Sequence, residues 1–339
     1  MFDALKNRLG DWSGRSSWAV AVLGALSLYL VGALLLGIHW TQPPEQASVE
    51  TILLKTQPDA ASPTVGNATV GALIHVTETL LNKPGGYLSN DVTPPGIWLD
   101  NMPNWEFGVL VQARDLARAL RKDLSRSQSQ STEDADLVIA EPALNYDSQK
   151  WFPSAESSYQ KSLVAARRYQ NRLATEGDNA QFYARADNLR NYLSDVETRL
   201  GSLSQRLSAS VGQVRFNTDL AGDPAASQST REFSELQIKT PWLEIDDVFF
   251  EARGSAWALL HFLKAVEHDF ASVLENKNAG VSLRQVIREL EATQQTLWSP
   301  MVLNGSGFGL FANHSLVMAS YISRAHAALS DLRALLSQG

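Results

Sequence analysis

The chain has 339 residues, of which 44% are apolar, and 36 acidic against 29 basic side chains give a formal net charge of -7. At roughly 100 to 200 residues per domain, this length fits one large domain or two small ones. The acidic excess argues against nucleic-acid binding, which needs clustered Lys and Arg. The absence of cysteine excludes disulfide frameworks, thiolate metal sites and a cysteine nucleophile.

The strongest signal is an apolar segment near the N-terminus. Residues 18–40 contain no Asp, Glu, Lys or Arg, and such a helix, rising about 1.5 Å per residue, is long enough to cross the roughly 30 Å hydrocarbon layer. A cleaved signal peptide is the alternative, but its apolar region is normally about 7 to 15 residues and ends at a small-residue cleavage site. This segment is longer and ends in Gly-Ile-His-Trp, which favours an uncleaved transmembrane anchor.

The charges beside this segment predict its orientation. Lys6, Arg8 and Arg15 precede it, whereas the next basic side chain after it is Lys55. Basic residues stay preferentially in the cytoplasm, so we expect residues 1–17 to be cytoplasmic and the remainder to lie outside the inner membrane. In a bacterium that compartment is the periplasm, where a chain without cysteine avoids unwanted oxidation.

The exported part is predicted to be mainly α: a helical bundle behind a single transmembrane helix. Residues 41–63 contain four prolines among polar residues, which predicts an extended tether. Residues 64–339 show the three- and four-residue apolar spacing of helices. We expect helices near residues 68–82, 105–125, 248–275, 282–298 and 313–336, an irregular segment at 87–104, a polar loop at 127–136, and two short strands at 214–216 and 236–238.

The clearest periodicity occupies residues 182–210, where apolar positions alternate four- and three-residue steps as in a coiled-coil seam. A similar pattern runs from Tyr159 to Leu173. We therefore expect a long antiparallel helical hairpin over residues 154–211, inserted between segments 64–153 and 240–339. An isolated hairpin leaves a face uncovered, so its seam is a candidate surface for a partner or for the rest of the body. The candidate partner residues on this seam are Leu189, Leu193 and Leu200.

Two segments echo one another. Val109 to Leu120 reads VLVQARDLARAL and Val248 to Leu259 reads VFFEARGSAWAL, and the two agree at six of twelve positions. A Thr-Pro pair and a Trp-Leu-acid triplet precede each of them. The echo suggests two related helical halves, but alanine supplies three of the matches, so ordinary composition is the alternative.

The anchor and these two regions resemble a known family. Gly85 to Ser129, which includes TPPGIWLDNMPNWEFGVL, and Thr240 to Phe270, which begins TPWLEIDDVFFEARGSAWALL, are similar to an uncharacterised family of Gram-negative bacterial membrane proteins, domain of unknown function 2333. The resemblance covers most of the chain. It implies a bacterial envelope protein and carries over no catalytic residue.

The best candidate for chemistry is an aromatic and acidic cluster in the irregular segment. Trp98 and Trp105 could stack on sugar rings, and Asp100 with Glu106 could act as acid and base on a glycosidic bond, with peptidoglycan as the periplasmic substrate. The structural alternative is that the tryptophans hold the segment on the bundle while the acids cap turns. The spacing does not determine the separation between the carboxylates.

Metal and phosphate sites have weaker support. His261 and His268 are seven residues apart on one helical face and could ligate zinc or iron. Packed or solvent-facing histidines are the alternative, because no His-Glu-x-x-His motif and no repeated Glu-x-x-His pair is present. Residues 304–309 read NGSGFG but lack the Lys-Ser/Thr end of a P-loop. We predict a turn there, and no metal or other cofactor.

Three functions remain open. No catalytic motif is recognisable, so the leading hypothesis is an envelope adaptor or scaffold that binds another envelope protein or a second copy of itself. Small residues in the span, such as Ala33 and Gly37, could let another membrane helix approach. The second hypothesis is a module for a lipid or other apolar ligand, motivated by the nearly all-apolar helix Phe249 to Val266 beside Phe308, Leu310 and Phe311. The third is a peptidoglycan hydrolase.

Overall fold

The structure is a computed structural model that describes residues 2–57, 64–127, 131–175, 178–216, 235–299 and 301–338. Within these ranges the chain is mainly helical, as predicted, with one small antiparallel sheet. The elements are α1 (Phe2–Trp40), α2 (Val49–Thr56), α3 (Asn67–Asn82), α4 (Asn101–Ala119, continued by a π-helical turn, Leu120–Leu124), α5 (Leu137–Leu144), α6 (Ala155–Leu173), α7 (Ala186–Ser208), β1 (Gln213–Phe216), β2 (Glu235–Ile238), α8 (Ile245–Asp269), α9 (Ala271–Asn276), α10 (Gly280–Ala292) and α11 (His314–Ser337).

The apolar segment forms the C-terminal part of α1. Within its 23 residues, Trp18–Trp40, the most apolar 18-residue window has a mean hydropathy of 2.4 and is almost entirely exposed. A helix of this length and composition can cross a membrane. A signal sequence near an N-terminus has the same properties, so the fold alone is consistent with a span or a signal.

The last turns of α1 pack against the body. Ala33 and Gly37 are buried, and a methyl group placed on Gly37 would lie 3.6 Å from Leu99 and 3.7 Å from Pro95. Gly37 therefore accommodates the irregular segment that precedes α4, and a large side chain there would push the segment away. Ala33 and Gly37, the two small residues named above as a possible contact for a second membrane helix, are thus already covered within this chain.

The tether prediction is wrong for much of residues 41–57, which pack on the body and include a helix. Ser48 caps α2 by accepting a hydrogen bond from the Thr51 amide, and Ile52 of this helix is 2% exposed. The segment before α2 is held by two bonds to α8: the Trp257 indole donates to the Pro44 carbonyl at 3.1 Å, and the Ala47 amide donates to His261 Nε2 at 3.1 Å. Residues 58–63 of the predicted tether lie outside the described residues.

The two echoing segments lie in α4 and α8, which form the most extensive helix pair of the body. Their backbones approach closely because each helix has a glycine at the crossing. A methyl group on Gly108 would lie 2.1 Å from the Glu251 carbonyl oxygen, and one on Gly254 would lie 2.0 Å from the Trp105 carbonyl oxygen. The Ser255 hydroxyl adds a bond to the Gly108 carbonyl at 3.2 Å. A short 3₁₀ turn precedes each helix, but a common origin of the two halves remains a prediction.

The long hairpin is not formed. The apolar seam of α7 is buried as the periodicity predicts, but it packs along α11, whereas α6 packs on α5 and α3. Polar contacts support the α7–α11 pairing, since Glu197 accepts bonds from Ser330 and Arg333. The prediction failed because α11 carries its own heptad-like seam and competes for α7. The α11 residues on this seam are Met318, Ile322, Ala325, Leu329, Leu332 and Leu336.

The two short strands are confirmed. β1 and β2 pair antiparallel, with Gln213 opposite Ile238 and Phe216 opposite Glu235. The hydrogen bond from the Thr240 amide to the Ala209 carbonyl, 3.0 Å long, attaches the end of β2 to the end of α7. Residues 217–234, between the two strands, lie outside the described residues.

Candidate functional site

Glu106 is a structural residue in the interior and does not face an open site. Its side chain is fully buried and forms an ion pair with the equally buried Lys83, with 2.5 Å between Lys83 Nζ and the carboxylate. The same carboxylate accepts hydrogen bonds from the Leu88 amide at 2.8 Å and from the Ser89 amide and hydroxyl at 2.8 and 2.5 Å. These bonds hold the chain between α3 and α4 and occupy the carboxylate lone pairs that would have to take up a proton in acid–base catalysis.

Asp100 is a capping residue, which is the structural alternative considered for these acids. It is the N-terminal cap of α4, accepting a bond from the Asn101 amide at 2.8 Å, as expected for Asp at this position. It also lines a small polar cavity of about 350 Å³ between the start of α4, the chain at Ser148 and Gln149, and Glu251 of α8. Glu106 does not line that cavity, so the structure does not bring the two carboxylates together around a substrate.

The two tryptophans differ in burial. Trp105 is fully buried, with its ring 5.1 Å from that of Trp257 on α8, whereas Trp98 is 55% exposed. A sugar platform requires exposed aromatic faces, so Trp105 is unsuitable for one. Trp98 belongs to the segment that covers the last turns of α1 and lies beside the exposed Ile97.

The leucines predicted as a partner surface are covered. Leu189, Leu193 and Leu200 are at most 1% exposed, because α11 packs over the α7 seam. They contribute to the core and are unavailable to a partner. Of the five residues predicted as a ligand or partner surface, Trp98 is the one that faces solvent.

The two histidines proposed as metal ligands serve different purposes. His261 is buried, and its Nδ1 bonds to the Trp257 carbonyl at 2.9 Å while Nε2 accepts from Ala47. Both ring nitrogens are therefore engaged, and burial lowers the pKa of His261 to about 4, which keeps the ring neutral. His268 lies 3.4 Å from the Asp269 carboxylate, in a shallow groove of paired charges. The described residues contain no cluster of three metal-ligating side chains.

His75 completes an aromatic cluster with His261 and Trp257. Its ring lies 5.2 Å from that of His261 and 6.4 Å from that of Trp257. Both nitrogens of His75 are buried without a hydrogen-bond partner, and burial lowers its pKa to about 4. Two neutral histidines thus lie side by side beneath the segment that follows α1.

Two cavities adjoin along α8. One, of about 460 Å³, lies between α8, the end of α10 and the start of α11, with Phe249, Leu297 and Met318 among its lining residues. The other, of about 690 Å³, lies between α8 and the residues that follow α1, from Thr41 to Gln46. Arg253 lines both cavities. Both volumes are in the range of small-molecule sites.

A loop at residues 304–313 projects apolar side chains into solvent. The Asn304–Asn313 bridge closes it, with the Gly305 amide donating to the Ala312 carbonyl at 3.0 Å and the Asn313 amide group donating to Asn304 Oδ1 at 2.8 Å. Its tip residues Phe308 and Leu310 are fully exposed, and Phe311 is 74% exposed. The expectation that these three lie beside the apolar helix as one ligand site is therefore wrong.

The profile of one protein family, described as uncharacterised proteins conserved in bacteria and named domain of unknown function 2333, matches residues 12–339. The chain belongs to this family. The resemblance drawn from the anchor and the two TP-containing segments is thereby confirmed. No curated protein and no solved structure shows significant similarity to the chain, so membership of domain of unknown function 2333 assigns no role to any residue.

Sequence reasoning missed Arg253 in this family member. The residue is the one Lys or Arg between Phe249 and Leu263, in a stretch of helix that is otherwise almost free of charge. This isolated charge is the sequence feature that could have marked Arg253 as a candidate site residue. Its significance depends on the two cavities, which are formed by segments far apart in the sequence.

Proposed function

We propose that this protein is a single-pass inner-membrane protein with a cytoplasmic N-terminus, and that its periplasmic helical body acts as an envelope adaptor or scaffold. The orientation is supported by Lys6, Arg8 and Arg15 before the span. The docking of the irregular segment on Gly37, near the end of the apolar segment, supports a body that is held at the membrane surface. In this arrangement the exposed Ile97 and Trp98 lie at the level of the lipid headgroups, where Trp is favoured.

The adaptor function rests on the loop at residues 304–313. Apolar side chains that protrude from a folded body stabilise nothing within it, and clustered exposed apolar residues mark interaction sites. The loop is also fixed in place: besides its own bridge, the Asn304 amide group donates to the Ser210 carbonyl at 3.1 Å. A rigid loop that presents Phe308, Leu310 and Phe311 is suited to enter an apolar pocket of a partner protein.

Photo-cross-linking in cells tests this proposal. A photoreactive amino acid replaces Phe308 or Leu310 in the full chain, and matched controls replace Val281 and Val164, which are also exposed apolar residues. We expect a discrete protein adduct at 308 and 310 and none at the controls. An adduct with an envelope protein supports an adaptor, and an adduct that contains this chain alone supports a self-assembling scaffold. Adducts with lipid alone, or no adduct, contradict the partner function.

The topology is tested separately. Because the chain contains no cysteine, a single introduced cysteine reports its own side of the membrane. We expect a membrane-impermeant maleimide to label Val281→Cys in cells with a permeabilised outer membrane and to leave Ser13→Cys unlabelled until the inner membrane is disrupted. An intact mass that lacks the first residues would instead show cleavage of a signal peptide.

A further inference from the structure

We propose that the two adjoining cavities beside α8 bind an anionic amphiphile, with the Arg253 guanidinium holding its acidic headgroup. The observation that points to a ligand is a buried positive charge without an acidic partner, placed between two partly apolar cavities. The inference adds a ligand site to the proposed scaffold and does not depend on the partner function of the loop at residues 304–313.

Arg253 is unusual among the arginines that pack against this part of the body. It is 6% exposed, and its Nη2 donates to the Gln294 and Gln295 carbonyls at 3.2 and 2.9 Å, but Nε is buried without a partner. No carboxylate of the described residues forms an ion pair with it, and burial lowers its pKa. Arg206, by contrast, forms two bonds with the Glu251 carboxylate, at 2.7 and 2.6 Å, and its pKa is raised.

A buried guanidinium stabilised by two carbonyl groups retains a strong preference for an anion, because desolvation of an uncompensated charge is costly. Carboxylate and phosphate groups match its planar set of donors. Among the described residues that line the two cavities, the one acidic side chain is Glu45, which is exposed and is not paired with Arg253. The headgroup position is therefore available to an anion supplied by a ligand.

The remaining walls select an apolar chain. The cavity near α11 presents Phe249, Leu297 and Met318, and the one near α1 presents Phe250 and Trp257. The second cavity is bordered by Thr41 to Gln46, the residues that directly follow the apolar span. The site thus lies next to the outer surface of the membrane when α1 spans it, and an amphiphile could enter from the lipid phase. The shared chemistry is an acidic headgroup on an alkyl chain, provided by a free fatty acid or by an anionic phospholipid.

The test compares three probes on the full chain in neutral detergent by native mass spectrometry. Oleate and oleyl alcohol share the same chain and differ in charge, and dioleoyl phosphatidylglycerol carries its charge on a phospholipid. We expect the wild type to retain oleate or the phospholipid at least about tenfold more than the alcohol, the preference that one charge-assisted contact supplies. Retention of oleate alone identifies a fatty-acid site, and retention of the phospholipid identifies a bilayer lipid as the source.

Variants connect the preference with the site. Arg253→Met should abolish the preference for the anion, whereas Arg324→Met, which removes an exposed arginine of α11, should leave it unchanged. Because Arg253 also contacts the end of α10, its loss could prevent folding. Thr296→Trp is therefore a second variant: Thr296 is exposed and lines both cavities, and the larger side chain should lower retention of the anionic probe at least about tenfold. The proposal would be overturned if the wild type retained neither oleate nor the phospholipid above the alcohol, or if folded Arg253→Met kept an unchanged preference for the anion.

Discussion

Replacement of Glu106 by Gln tests whether the buried ion pair with Lys83 determines the stability of the body. Both side chains are at most 1% exposed, and Nζ lies 2.5 Å from the carboxylate. Besides this pair, the carboxylate accepts bonds from the Leu88 amide and from both donors of Ser89. An amide group at this position would be neutral and would direct a donor at groups that are themselves donors.

The magnitude follows from what remains in the interior after the change. Removing one partner of a buried ion pair costs about 3 to 5 kcal/mol, because the other charge is left uncompensated. Lys83 would retain its bond to the Gly86 carbonyl but no counter-charge. We therefore expect Glu106→Gln to lower the free energy of unfolding by about 4 kcal/mol. Lys83→Met should be similarly destabilising, and the double variant should lose about 2 kcal/mol less than the sum of the two.

The assay is urea unfolding of the full chain in detergent, with circular dichroism as the readout. Glu267→Gln is the matched control, because its ion pair with Arg284 is solvent-exposed and such pairs contribute about 1 kcal/mol or less. A loss below about 1 kcal/mol for Glu106→Gln, or strictly additive effects in the double variant, would refute the argument that the pair holds the segment between α3 and α4.

Three further predictions concern α8 and the residues that pack on it. His75 and His261 have a pKa of about 4 in the folded protein and near 6.5 in the unfolded chain, so the free energy of unfolding should be complete above pH 6.5 and fall as the pH drops toward 4, by about 3 kcal/mol for the buried His261. His75→Phe removes two unsatisfied buried nitrogens and should therefore raise the melting temperature at pH 7 and flatten its pH dependence. A pH-independent melting temperature of the wild type would contradict the reasoning. Gly254→Ala should lower the free energy of unfolding in urea by about 1 to 3 kcal/mol or more, because its methyl group would lie 2.0 Å from the Trp105 carbonyl oxygen. Gly280→Ala is the control, since its methyl group would meet no protein atom closer than 3.5 Å. Equal losses of free energy in the two variants would exclude the close helix approach as the cause.

The fate of the predicted site residues shows the limit of local reasoning. The alternative that the acids act as caps describes Asp100 correctly, because capping depends only on the adjacent start of a helix. The burial of Glu106 depends on Lys83 and on the chain at Leu88 and Ser89, which its own neighbours do not reveal. Arg253 is a similar case: its charge is visible in the sequence, whereas the missing carboxylate and the two cavities exist only after α8, α10 and α11 have packed.

Features that depend on nearby residues could be predicted from the sequence. The apolar span, the positions of most helices, the two strands and the burial of the α7 seam follow from composition and periodicity, which act over a few turns. Tertiary structure decided which surfaces meet. A heptad pattern shows that a helix needs an apolar partner but does not specify which helix that partner is. In the folded chain α7 packs on α11 and not on α6. Likewise, Pro44 and Ala47 attach the predicted tether to α8 through partners more than two hundred residues away, at a distance where no local pattern carries information.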